Sequence, residues 1–274
     1  MKAFCLSFAS LLLAGACCAN PLSADVVDSG YIDILDSVAS DPTFSGLGET
    51  ISIAFFFDMN FVNFSDTTWS PGHVAVELRG EGAGHVPFSV GVSGTLDSLM
   101  IGVSDDYISG AEKVAGTSSS ISTHTRYHAV FTVSGDDYAI YLDGELDASG
   151  TFSTATGDRS TGSQTANLQI GFRSRDGGQK DANPWRGSIE DLIIWDTDLS
   201  AGQARMLYTT RHATVPHPVL WRGGNPIGTA TGHALDGVTI PDRSPNNNNG
   251  IGVNGSAAFK TLGSHVKKRK VKMP

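Results

Sequence analysis

Helical spacing is almost missing from this chain, and that limits its fold more than any other feature. Across 274 residues only one short segment keeps apolar positions three and four apart. The remaining apolar residues fall into short runs: Ile51 to Phe57, Val74 to Leu78, Phe88 to Val92, Leu99 to Val103, Tyr127 to Val133, Tyr138 to Leu142, Leu168 to Phe172 and Ile189 to Trp195. Each run is rich in β-branched and aromatic residues, and turn clusters of Gly, Asp, Ser and Asn separate them. Eight such strands without alternating helices predict an all-β fold: a two-sheet antiparallel jelly-roll sandwich with one short helix near residues 200–208.

The clearest local unit is a hairpin. Tyr127, Ala129, Phe131 and Val133 alternate with His128, Val130 and Thr132, and Ser134 to Asp137 turns the chain into Tyr138 to Leu142. Asp143-Gly144 supplies the positive φ angles of a tight turn, so a third strand is expected to start near Glu145. The helix begins at Ser200, whose hydroxyl can cap the first turn while Gln203 reaches back in a capping box.

Residues 1–19 read as an export signal, with Lys2 as the positive end, Phe4 to Ala14 as the apolar core, and small residues from Ala16 to Ala19 for cleavage. Cleavage after Ala19 is expected, with a cut after Ala16 as the alternative. The apolar stretch is shorter than the roughly 20 residues of a membrane-spanning helix, so no transmembrane segment is expected after cleavage. A lipid anchor on Cys17 or Cys18 lacks the usual large aliphatic residue three positions earlier. All three cysteines, Cys5, Cys17 and Cys18, lie in this segment, so the exported chain would depend on its apolar core alone. About 255 residues suffice for one domain.

The net charge of −9 is unevenly spread. Lys267, Lys268, Arg269, Lys270 and Lys272 fall in the last ten residues, leaving 14 basic against 28 acidic residues upstream. An acidic body argues against a grip on nucleic acid, whose phosphates demand a basic face. The tail at 265–274 reads as a solvated, disordered end, and it is the only part suited to a polyanion.

Several motifs together resemble the LamG-like branch of the concanavalin A-like lectin/glucanase superfamily. They are Tyr127 to Val133 followed by Tyr141-Leu-Asp-Gly144, then Leu168-Gln-Ile-Gly171, then Trp185-Arg-Gly-Ser-Ile-Glu-Asp-Leu-Ile-Ile-Trp-Asp196, and finally Leu199-Ser200 with Leu207-Tyr208. In order and spacing the match extends from 125 to 208, and it is looser from 30 to 124. It implies a jelly roll spanning 20–212 with recognition carried by loops on one rim, and it puts Trp185 and Trp195 in the core. Asp242 to Gly255 echoes the opening of such domains. Either residues 213–264 fold back to supply a strand, which is the favoured reading, or they begin a repeat too short to complete.

Relatives that hydrolyse β-glucans carry Glu-x-Asp-x-x-Glu on one strand, a spacing that brings nucleophile and acid together. Here Glu145-Leu146-Asp147 is followed by Ala148-Ser149-Gly150, with no third carboxylate. Glu190 and Asp191 are adjacent, so on a regular strand they point to opposite faces. No Gly-x-Ser-x-Gly elbow occurs. His128 reads as a strand residue satisfied by a hydrogen bond, and His212 and His217 lack further ligands for zinc. No catalytic residue is therefore assigned.

The loop from Asp176 to Asn183 resembles the calcium loop of pentraxins. Arg173 and Arg175 stand where pentraxins place acids, which argues against a double site. A single calcium site on Asp176, Asp181 and Asn183 stays open beside the plainer reading of a solvated turn. For a ligand, Trp69 is the first aromatic candidate, and Trp221 with Arg222 and Asn225 the second, because a ring face stacks on a pyranose while polar neighbours read its hydroxyls. Asn63 and Asn254 begin glycosylation sequons. The expected protein is a secreted or surface module binding a glycan or an extracellular protein. An attachment protein of a cell or viral surface, and a diverged glycoside hydrolase, are the alternatives.

Overall fold

A computed structural model describes residues 23–26, 31–35, 47–59, 73–80, 87–93, 98–104, 112–152, 166–171, 185, 187–211, 218–222, 239–240, 244, 250–253 and 257–260. The strands are β1 (Ser23–Val26), β2 (Tyr31–Leu35), β3 (Thr50–Met59), β4 (His73–Gly80), β5 (Phe88–Val92), β6 (Leu99–Ser104), β7 (Glu112–Gly116), β8 (Tyr127–Ser134), β9 (Asp137–Leu142), β10 (Glu145–Thr151), β11 (Ala166–Ile170) and β12 (Gly187–Trp195). After helix α1 (Ala201–Thr210) come β13 (Leu220–Arg222), β14 (Thr239–Ile240), β15 (Gly250–Val253) and β16 (Ala257–Lys260). All eight runs read from the sequence fall on strands, the run from Leu168 leaving its strand after Ile170 and Phe172 lying outside the described residues, and the antiparallel sandwich is the observed fold.

The first sheet runs β10-β9-β8-β3-β12-β1-β16, with β13 also paired to β12, and the second runs β14-β15-β2-β11-β4-β5-β6-β7. On the free side of β12, β1 takes Gly187 to Ile189 and β13 takes Leu192 to Ile194. The last two strands enter different sheets, β15 beside β2 and β16 beside β1. Among the described residues no helix is long and apolar enough to cross a membrane.

Side chains alternate along a strand, and the core between the sheets follows that alternation. Ile51, Ile53, Phe55, Phe57 and Met59 of β3 meet Val76, Leu78, Phe88, Val90, Leu168 and Ile170 of the second sheet. Trp185, fully buried, stands edge-on to Phe57 with ring centroids 5.6 Å apart and to Phe55 at 6.5 Å. Trp195 is equally buried, so both tryptophans are core residues as the family motif implies.

Among the described residues three bulges break the alternation, at Val74/Val76 of β4, Leu146/Ala148 of β10 and Glu190/Ile193 of β12. At the first, Gly91 is obligatory, because a Cβ there would overlap the carbonyl oxygen of His73. At the third, Asp191 takes a φ of 49°. The simple rule that Glu190 and Asp191 face opposite sides of a strand therefore does not apply there.

Helix α1 runs two residues beyond the expected end near Tyr208. The capping box at its start is present: the Ser200 amide donates to Gln203 Oε1 at 2.8 Å and the Gln203 amide to Ser200 Oγ at 3.4 Å. Arg211 closes the helix in the left-handed conformation, its amide donating to the Leu207 carbonyl. Ser200→Ala is expected to lower stability by about 1 kcal/mol in urea unfolding, with no change in the fold.

Candidate functional site

The outward faces of the two sheets are built differently. On the first sheet, Ala54, Val130, Tyr141, Ile193 and Trp195 turn away from the main core and pack under Leu199, Ala204 and Leu207. Helix α1 thus closes this face with a second, smaller core. Ser52 fixes its approach, with Oγ donating to the Thr197 carbonyl at 2.6 Å and accepting from the Leu199 amide at 3.1 Å.

Beside the helix, strand register sets Glu190, Phe56 and His128 in one row. The guanidinium groups of Arg126 and Arg211 lie 4.9 and 4.6 Å from the Phe56 ring centroid. Both reach Glu190 Oε2, Arg126 in the closer contact and Arg211 at 3.4 Å. Glu190 is 2% exposed. Burial pushes its carboxyl up to about 7; Arg126 pulls it down, while Asp191 and Asp58 push it further up.

His128 sits between Phe56, at 4.4 Å, and Tyr208, at 5.9 Å. The expected hydrogen bond to its imidazole is not found: Nδ1 is buried without a partner. A neutral ring stacked between two others needs no charge partner, and burial, aided by Arg126, lowers its pKa to about 3. The ring is therefore neutral near pH 7 and only weakly basic there. This row is a structural clamp joining β12, β3, β8 and the end of α1.

The acids nearest to a glucanase motif are engaged as well. Asp147 is the extra residue of the β10 bulge, and its carboxylate accepts from the Ser118 amide at 2.7 Å, the Ser119 amide at 3.1 Å and both serine hydroxyls. Burial raises the Asp147 pKa, but the bonds from Ser119 and Ser118 outweigh it and hold the carboxyl below its ordinary value. Glu145, exposed, pairs with Arg205 at 3.7 Å. Glu145 and Asp147 therefore face different partners and share no reacting bond.

The outward face of the second sheet carries a polar row. Gln169 of β11 pairs with Glu77 of β4, and Glu77 with Ser89 of β5. Their apolar neighbours along the strands, Ile170, Leu168, Val76, Leu78, Phe88 and Val90, fill the core, so these three turn away from it. They are nonetheless only 4%, 0% and 0% exposed. Ser89 Oγ and Gln169 Oε1 are buried with no hydrogen-bond partner. The register continues to Asp33 of β2 on one side and Gly102 of β6 on the other.

Sequence reasoning did not single out this row. Its signal is a polar residue flanked by apolar ones in three separate runs, Val76-Glu77-Leu78, Phe88-Ser89-Val90 and Leu168-Gln169-Ile170. Of the residues it did single out, Trp69, Asn225, Asp176, Asp181 and Asn183 lie outside the described residues, as do His212, His217 and the basic run at 267–272. Trp221 and Arg222 belong to β13, opposite Ile193 and Leu192 in register.

The family model of the concanavalin A-like lectin/glucanases superfamily matches residues 34–205. No curated protein matches the sequence. Among solved structures, the chain is similar to a candidate carbohydrate-binding protein of Bacteroides ovatus, at 14% identity and a TM-score of 0.57, covering 89% of this chain and 60% of that one. It is also similar to the CBM40 of the Ruminococcus gnavus IT-sialidase, at 15% identity and a TM-score of 0.51, over 68% of this chain and 96% of that domain. The same domain with α2,6-sialyllactose bound gives 13% identity, a TM-score of 0.51 and the same coverage. At such identities the likeness is one of fold.

Proposed function

The chain belongs to the concanavalin A-like lectin/glucanases superfamily, and on that premise we propose that it is a carbohydrate-binding module that holds its ligand without cleaving it. The observation that carries this reading is the fate of the carboxylates. Asp147 is bound by the Ser118–Ser119 turn, Glu190 by two guanidinium groups, and Glu145 lies on the surface with Arg205. Asp58 and Asp191 lie near enough to Glu190 to raise its pKa, but both guanidinium groups occupy its Oε2, so among the described residues none of these three acids is free to act with a second carboxyl group, as hydrolysis on this fold requires. The sialyllactose held by the similar CBM40 fold supports a glycan as the ligand class.

In this reading the protein is exported through the signal at 1–19 and works at or outside the cell surface. Rim-loop contacts from Trp69, Trp221, Arg222 and Asn225, and a calcium ion on Asp176, Asp181 and Asn183, belong to the same proposal. Calcium would be recognised by a raised melting temperature on titration, because an ion that binds only the folded chain stabilises it by mass action.

A printed glycan array, followed by a reducing-end assay on any polysaccharide bound, tests the function directly. The full chain is expected to bind at least one glycan and to release no new reducing ends. Turnover that disappears in Glu145→Gln would make it a hydrolase instead.

A further inference from the structure

Arg126 ends the approach to β8, and Arg211 closes helix α1. Glu190 stands in the bulge of β12, where pairing along the free side passes from β1 to β13. One oxygen of Glu190 takes both guanidinium groups, so a single charge joins three segments that lie far apart in the chain. The carboxylate is 2% exposed, whereas each arginine is 36% exposed. The arginines have water to turn to, and the carboxylate does not.

Arginine keeps its charge throughout the range in which a protein stays folded, so only the carboxyl of this trio can change state. Two cations that meet on one oxygen repel each other once its charge is cancelled. The Phe56 ring, 4.9 and 4.6 Å away, still attracts both, but more weakly than a carboxylate does. The other charges around Glu190 favour the proton: Asp191 beside it and Asp58 of β3, whose Oδ1 also accepts from the Ser188 amide at 3.2 Å. His128 of β8 is neutral, and Tyr208 of α1 lies beyond it. By register, β1 sets Asp25 opposite Ser188 and β13 sets Arg222 opposite Leu192.

We propose that Glu190 is an acid-operated latch: one proton on its carboxyl frees Arg126 and Arg211 together, loosening the end of helix α1 and the approach to β8 while the sandwich stays folded. Burial holds that carboxyl up at about 7, so the latch is closed in mild alkali and opens as the pH falls below neutrality. The sheets survive the change because a neutral carboxyl is easier to bury than a charged one. The latch does not depend on the carbohydrate-binding reading.

Amide hydrogen exchange of the full-length chain between pH 8.5 and 5, corrected for the intrinsic pH dependence of exchange, tests it. Two amides report the two arms: Arg211, which donates to the Leu207 carbonyl at 3.0 Å, and His124, which donates to the Met59 carbonyl at 2.7 Å. Both are expected to lose protection at least tenfold on acidification, with one shared midpoint, while the amides of β3 and β8 keep theirs. Glu190→Gln, whose side chain is neutral at every pH, is expected to show the acid level of protection at both ends of the range. Arg211→Gln is the second variant, should the first not fold, and its helix end is expected to be loose at every pH. Unchanged protection in the wild type, a response at only one of the two amides, or a helix-end response that survives in either variant would overturn the latch. So would a loss that spreads to β3 and β8, because that is general unfolding.

Discussion

Trp185→Ala is expected to cost about 3–5 kcal/mol, the range for truncating a fully buried large aromatic. Trp185 lies between Phe55 and Phe57 on β3. Its amide donates to the Gly171 carbonyl just after β11, and so binds the approach to β12 to the second sheet. Removal leaves a cavity that the neighbours can fill only by moving strands of both sheets. The indole Nε1 is buried without a partner, so Trp185→Phe, which discards that N–H, is expected to lose much less. Urea unfolding of both variants checks the difference. Equal losses would mean that the indole nitrogen contributes to the fold after all.

The second large effect is pH dependent. Arg126→Met keeps an apolar stem near Phe56 but strips Glu190 of its closer cation. Arg211 remains, so the expected loss at pH 8.5 is about 3 kcal/mol, the low end for breaking a buried pair from one side. The sign follows from the carboxyl. In the folded wild type its pKa is raised from 4.5 to about 7, chiefly by burial. The folded chain therefore holds this proton more tightly than the unfolded one. The contribution is fully present below about pH 4.5 and is lost as the pH rises through 7. Without Arg126 the carboxyl rises further, so the variant suffers most where an unpaired carboxylate would have to be buried. At pH 5 the group is protonated in either protein, and the gap between variant and wild type should narrow. Denaturation midpoints at pH 5 and 8.5 measure this. A gap that is larger at pH 5 would contradict the account of Glu190.

The fold was legible because its strands differ so clearly from helices. β3 shows why it reads as a continuous apolar run: seven consecutive residues, Ile51 to Phe57, are buried, one set in the main core and the other beneath or beside helix α1. The helix start was legible from Ser200 and Gln203, whose capping box is a local device. Less visible were the short strands. β10, Glu145–Thr151, is mostly exposed and was signalled only by the Asp143-Gly144 turn before it. β1, β2, β13 and β14 are two to five residues long and take their place from neighbours rather than from their own pattern.

The candidate site was less legible than the fold, for two reasons. Bulges have no signature in the sequence, and it is a bulge that turns Asp147 to the Ser118–Ser119 turn and takes Asp191 out of alternation. The polar row, by contrast, could have been seen. Glu77, Ser89 and Gln169 each interrupt an apolar run, but only the register brings the three interruptions side by side, and register is a property of the sheet. Exposed aromatics, the usual signal for sugar binding, drew attention to Trp69 and Trp221 instead.

Nuclear magnetic resonance of the labelled full-length chain, titrated with the array's best glycan, would show where the ligand lies. The account predicts that a localised set of amides shifts with saturating dependence on the glycan, while those of helix α1, which packs against the first sheet, stay still. Shifts confined to helix α1, or a spectrum unmoved at the highest glycan concentration, would contradict it.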